Sequence, residues 1–186
     1  SSTSRGLGDV YKRQTMACIT EALGMSLPGS AAIPAVHADR LRLAEACGER
    51  AMEMAVSGAP LPQDIITPKA IENALRVLLA ISGSTNAVVH LAAIAGRRGI
   101  DLSLDEINRI SDETPVLVNL KPTGEHYMQD LFAAGGLTAV LQELKHQLHL
   151  DCLTVTGETL GEWLSEKPKW VDRDVTVSYT HLRAHE

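Results

Sequence analysis

Ser82-Gly83-Ser84-Thr85-Asn86 sets three consecutive small polar side chains at the mouth of an apolar run, Ala87-Val88-Val89-His90-Leu91. A helix starting here leaves its first N–H groups without intrahelical partners, and the macrodipole adds partial positive charge at the same end. Such an end can hold a carboxylate or a phosphate. Ser84, Thr85 and Asn86 are therefore candidate substrate-binding residues. A plainer role fits the same residues, with Ser84 or Thr85 serving only as the helix cap. Spacing does not separate the two.

The remaining reactive side chains point to duller roles. His90, inside the apolar run, reads as a hydrogen-bonded core histidine. His146 and His149, three apart on one helix, could form a metal pair, but no carboxylate or cysteine is placed to complete it, so a solvated face is expected. Cys18 and Cys47 fall within helical patterns as small buried hydrophobes, Cys152 opens a strand-like run, and no Cys-x-x-Cys spacing occurs. Asp101, Asp105 and Glu106 surround a helix start, which dipole complementarity explains without a metal. Asp112-Glu113 and Asp172/Asp174 read as solvated charge. Gly83 and Gly135-Gly136 match neither a Walker loop nor a dinucleotide fingerprint. No residue is assigned a catalytic or a metal-binding role.

Several elements must position these residues. Met16, Ile19 and Leu23 recur at helical spacing, with Gly24 as a left-handed stop and Pro28-Gly29 as a turn. The pattern over residues 37–57 predicts a helix with Leu43, Cys47, Ala51 and Met54 on one face, closed by Gly58. Thr67 and Pro68 predict the next helix start, with a stripe of Ile71, Leu75, Leu78 and Leu79. A fourth helix runs from Gly83 to about Arg98, and Ser103 with Glu106 caps a fifth. Residues 115–120 and 152–156 read as short buried strands. A helix over residues 127–133 follows, then one carrying Leu137, Val140, Leu141, Leu144 and Leu148, and Thr159 with Glu162 opens the last. The expectation is an α/β fold: a helix-rich α/β/α sandwich with a mostly parallel sheet, incomplete as an N-terminal domain.

The chain has 186 residues, 45% of them hydrophobic and only 3% aromatic, so one core of aliphatic side chains is expected. A net charge of -6 argues against a nucleic-acid partner. No apolar run approaches the roughly 20 residues that span a bilayer, and three scattered cysteines suit a reducing compartment. A cytoplasmic protein is expected, with neither nucleic acid nor membrane as partner.

Residues 1–14 and 177–186 show no continuation of the interior pattern and resemble translated sequencing-adapter sequence. The expected organisation is a non-native tail (1–14), a partial N-terminal α/β domain (15–176) and a second non-native tail (177–186).

Four stretches carry a wider resemblance: Glu21-Ala22-Leu23-Gly24-Met25-Ser26-Leu27-Pro28-Gly29-Ser30-Ala31-Ala32-Ile33-Pro34-Ala35, the Ser82–Leu91 stretch, Ala134-Gly135-Gly136, and Leu153-Thr154-Val155-Thr156-Gly157. In this order they resemble the dihydroxy-acid/6-phosphogluconate dehydratase family, over about Thr15 to about Leu164. The resemblance implies a hydro-lyase that turns a 2,3-dihydroxy acid into a 2-keto acid, with an iron–sulfur cluster and Mg²⁺ as cofactors and a homodimer or higher homo-oligomer as the assembly. It also implies a cluster cysteine in a Gly-Thr-Cys or Ser-Cys motif just before Thr15, where this chain has Gly6-Leu7-Gly8. A small-molecule hydroxy acid would be the substrate, and this piece alone would be inactive. Residues 29–35 and 127–136 lean towards sugar-acid dehydratases; the other branch, dihydroxy-acid dehydratase, makes branched-chain amino-acid precursors. A different class of reading is a non-catalytic α/β module that binds a small acid at Ser84.

Overall fold

Local signals set the helix boundaries. The structure, a computed structural model, describes residues 3–120, 124–165 and 171–178. Helix α1 spans Thr3–Ala22, α2 Asp39–Ser57, α3 Pro62–Ile65, α4 Pro68–Ala80, α5 Thr85–Arg97, α6 Leu104–Glu113, α7 Met128–Ala133, α8 Gly136–Glu143 and α9 Leu160–Trp163. At the start of α4 the Thr67 hydroxyl accepts from the Ala70 amide at 3.2 Å, and Pro68 sits where its missing N–H is not needed. Ser103 accepts from the Glu106 amide at 3.2 Å to begin α6. Thr159 and Glu162 bond reciprocally, at 3.2 and 2.7 Å, to begin α9. Gly24, at φ +85°, follows the end of α1, and Gly58, at φ +72°, closes α2, each in the left-handed region that a Cβ disfavours.

Helix α4 is the axis of the fold. Ile71, Leu75 and Leu78 of the expected stripe are buried, and so are Asn73, Arg76 and Val77 on other faces. A helix covered all round needs partners on every side, and α1, α5, α6 and α8 supply them. Two apolar clusters result. One joins Ile19 and Leu23 of α1 to Ile71, Leu75 and Leu78 of α4 and to Ala87, Leu91 and Ala95 of α5. The other joins Cys18 and Ala22 of α1 and Val77 and Ala80 of α4 to Leu117, Leu131, Leu137, Leu141 and Leu144.

The strand-like segments behave differently from the helices. Leu117, Val118 and Leu120 are buried, and the Leu117 amide donates to the Ala80 carbonyl at 2.8 Å. Pairing among the described residues is limited to isolated bridges, Val118 with Thr176 antiparallel, Leu120 with His126 parallel and Leu153 with Thr159 antiparallel. These bridges neither build nor oppose a parallel sheet. At the chain's ends, α1 runs back to Thr3 through most of the first expected tail. Of the second, only Val177 and Ser178 lie among the described residues, and the Val177 amide donates to the Leu117 carbonyl at 2.8 Å.

Helix α2 corrects the expected face. No residue in it is buried. The half-buried side is Leu43, Ala46, Arg50 and Met54, whereas Cys47 and Ala51 are exposed. The rotation follows from Arg50, which turns towards the body and donates from Nε to the Val155 carbonyl at 2.6 Å.

Candidate functional site

The start of α5 is held against α1. Ser84 is extended (φ -62°, ψ 133°) as an N-cap position requires, yet its side chain makes no cap bond; its backbone carbonyl accepts from the Ala87 amide at 2.8 Å. The Ser84 amide donates to the hydroxyl of buried Thr15 at 3.5 Å. Thr85 and Asn86 are exposed and Ala87 is buried beneath them. The three candidates thus share one helix start, and the expected plain role of Ser84 as a side-chain cap is not what the structure shows. Gly83 permits the approach: a Cβ there would lie 2.3 Å from Leu78 Cδ1 and 2.7 Å from Thr15 Cγ2.

The other stretches gather along the same helix. Glu21 of α1 is 1% exposed. Its Oε1 accepts from the Gly29 amide at 2.8 Å, and its Oε2 from the Ala31 amide at 2.6 Å and the Ser30 hydroxyl at 3.2 Å. Burial pushes this carboxyl above its ordinary value, against the opposing pull of those donors. Next along, Ala32 packs over Gly136, where an added Cβ would meet the Ala32 Cβ at 3.6 Å. Beyond the end of α1, the Val155 amide donates to the Gly24 carbonyl at 2.8 Å. The four stretches of the sequence resemblance therefore gather around the second half of α1 and the loop that follows it. Glu21 went unrecognised in the sequence because its partners lie in a loop that folds back on it; the signal was a charged residue on the same helical face as Cys18.

A second polar group lies on α4. Glu72 bonds Arg76 at 2.8 Å and His149 Nε2 at 2.9 Å. Arg76 also bonds Glu113 at 2.8 Å, and Glu113 bonds Arg109 at 2.8 Å. Asn73 fixes the same turn, accepting from the His149 amide at 2.8 Å and donating to its carbonyl at 2.9 Å. Three expectations change here. His149 has a carboxylate partner, and Glu113 belongs to an ion-pair network on α6, because α4 carries Glu72 and Arg76 to both. His90, expected in the core, is exposed on the outer side of α5, since Ala87, Leu91 and Ala95 take the buried side.

The described residues do not fit an iron–sulfur cluster or a Mg²⁺ site. Cys18 and Cys152 belong to different apolar clusters, and Cys47 is exposed. Burial, aided by Glu21, pushes the Cys18 thiol up to about 12, and burial with Asp151 pushes Cys152 up to about 11, so both resist forming the thiolate that ligation needs. Among the described residues no three His, Cys, Asp or Glu side chains are grouped to hold a metal ion. Nor is any described helix long and apolar enough to cross a membrane.

This converging architecture coincides with a known family signature. A family model described as "Dihydroxy-acid/6-phosphogluconate dehydratase N-terminal" matches residues 8–163, and the chain belongs to that family. Three curated relatives are each named dihydroxy-acid dehydratase. The protein of Acetivibrio thermocellus is 50% identical over 155 residues, covering 82% of this chain and 28% of the relative. That of Caldanaerobacter subterraneus subsp. tengcongensis is 48% identical over 168 residues, covering 89% and 30%. That of Methanospirillum hungatei is 46% identical over 166 residues, again covering 89% and 30%. The chain thus spans less than a third of the length of these relatives. The family match begins at residue 8, inside the first expected tail.

Proposed function

We propose that this chain is part of a hydro-lyase that removes water from a 2,3-dihydroxy carboxylic acid to give a 2-keto acid. In that reaction C2 loses a proton, C3 loses its hydroxyl, and the resulting enol tautomerises to the ketone. The observation that carries the reading is the gathering of the stretches that resemble the family around α1 and the loop after it, within the segment that the family model matches. Ser84, Thr85 and Asn86 are assigned to the substrate: an exposed helix start with no side-chain cap from Ser84 offers backbone donors to a carboxylate.

The relatives' name, dihydroxy-acid dehydratase, supports a 2,3-dihydroxy acid as the substrate class, within which the sequence leans towards a sugar acid and the branched-chain precursor is the alternative. Because the thiols here do not fit a cluster, its ligands and those of Mg²⁺ are assigned to parts of the parent enzyme outside this chain. The parent is further proposed to be a cytoplasmic homo-oligomer with an α/β/α N-terminal domain, and residues 177–186 to be foreign to it, as are those of the first tail (1–14) that precede the family match at residue 8.

The test is a chimera in which residues 15–163 replace the matching segment of the Acetivibrio thermocellus protein. It should dehydrate a 2,3-dihydroxy acid, with turnover of arabonate as the sugar-acid reading expects. A folded chimera active only on 2,3-dihydroxy-isovalerate would move the assignment to the branched-chain branch, and one inactive on both would reject it.

A further inference from the structure

Helix α2 turns much of its apolar surface outward. Among the described residues, Val36, Leu41, Met52, Val56 and Leu61 are large, apolar and exposed, and each lies on α2 or within a few residues of its ends. Leu41, Ala44, Gly48, Ala51, Met52 and Ala55 follow helical spacing along one exposed side, away from half-buried Leu43, Ala46 and Met54. Nothing lies within 4 Å of a Cβ added at Gly48, midway along that side. We propose that this side of α2 docks a second copy of the chain, with the two helices antiparallel and crossing at Gly48.

The pattern is symmetric about Gly48, and that symmetry selects the occupant. In an antiparallel pair centred there, each residue meets the one equally far beyond Gly48 in the other copy. Leu41 then falls on Ala55, Met52 on Ala44 and Gly48 on Gly48, so large side chains meet small ones and the backbones can approach at the crossing. An unlike partner needs no such pairing about one residue, whereas an isologous contact requires it. The charges agree. Glu45 and Glu49 fall opposite Ala51 and Cys47, so no carboxylate is set directly against another. Arg42 falls beside Glu53 of the second copy. Within one chain Arg42 pairs with Asp39 and Glu53 with Arg50, so the contact aligns four charges of alternating sign at each end of the pair.

A single helix pair buries less than the roughly 800 Å² per partner of a standard interface, so the association is weak and concentration-dependent. It does not depend on the reaction assigned above. Sedimentation equilibrium of the full chain should find a monomer at about 5 μM and a well-populated dimer at about 500 μM. A side chain at Gly48 meets nothing at its Cβ within the chain, so Gly48→Leu blocks only the crossing. That variant should stay monomeric across the range while its dilute melts remain cooperative. Arg42→Glu should weaken the dimer by about tenfold, and adding Glu53→Arg should restore it. With the exposed native thiol removed by Cys47→Ser, Gly48→Cys should link two chains by a disulfide under mild oxidation, and Cys47→Ser alone should not. A native chain still monomeric at the highest concentration, an assembly larger than a dimer, a Gly48→Leu chain that dimerises, or a Gly48→Cys chain that does not cross-link would each overturn the proposal.

Discussion

Helices α4 and α2 are both well formed, yet they stand at opposite extremes of burial. α4 is covered on nearly all sides, with both apolar clusters meeting on it. α2 is longer and has no buried residue; its outer side carries Leu41, Met52 and Val56, which are 77%, 66% and 81% exposed. Beside half-buried Leu43, Ala46 and Met54, two polar ties hold α2: Arg50 bonds the Val155 carbonyl, and Arg40 bonds the Ile33 carbonyl. Helix formation here is thus separable from helix burial. Local signals mark where each helix begins and ends, whereas distant segments decide how much of it is buried.

The largest expected effects test that separation. Leu75→Ala, in the cluster shared by α1, α4 and α5, should lower stability by about 2–5 kcal/mol in denaturant melts, as the loss of a fully buried leucine does. Met52→Ala on α2 should stay within about 0.5 kcal/mol. Equal effects at the two sites would end the comparison. A single substitution type sharpens it further. Gly83→Ala forces a Cβ into Leu78 and Thr15 and should destabilise by about 1–3 kcal/mol. Gly48→Ala, in the interior of α2 with nothing within 4 Å of the added Cβ, should stabilise by about 0.5–1 kcal/mol. A loss of stability at Gly48 would show that α2 is packed in a way the exposed face does not suggest.

The same contrast explains what could be read in the sequence. Caps and stops were legible because they depend on neighbours three or four residues away: Thr67 with Pro68, Ser103 with Glu106, Thr159 with Glu162, and the left-handed Gly24 and Gly58 all act where expected. The facing of α2 was not legible, because Arg50 is turned inward by a carbonyl 105 residues away in the chain. His90 and His149 were misplaced for the same reason: the side of α5 that is buried and the carboxylate that meets His149 are both set by α4. At the site, Ser84, Thr85 and Asn86 were found as a local pattern. Glu21 was not, since its role exists only once residues 29–31 fold back.

Smaller effects probe the polar side of α4. Thr67→Ala removes the hydroxyl that receives the Ala70 amide and should lower stability by about 1 kcal/mol, with no counterpart at α2, whose N-cap Ala38 makes no side-chain bond. The last and smallest effect concerns pH. Burial raises the Glu72 carboxyl, but hydrogen bonds from His149 and Arg76 outweigh it and hold the group below its ordinary value. A depressed carboxylate contributes stability that is present above its unfolded value and lost as pH falls through its folded value. Glu21 carries the opposite sign, so two carboxylates on helices packed together should tilt the stability curve in opposite directions. Glu72→Gln should flatten the limb on which stability falls with falling pH, whereas Glu21→Gln should flatten the limb on which stability falls as pH rises above the ordinary carboxylate range. If both substitutions flatten the same limb, α4's ion-pair network and the loop contact of α1 are not the independent polar attachments that this arrangement makes them.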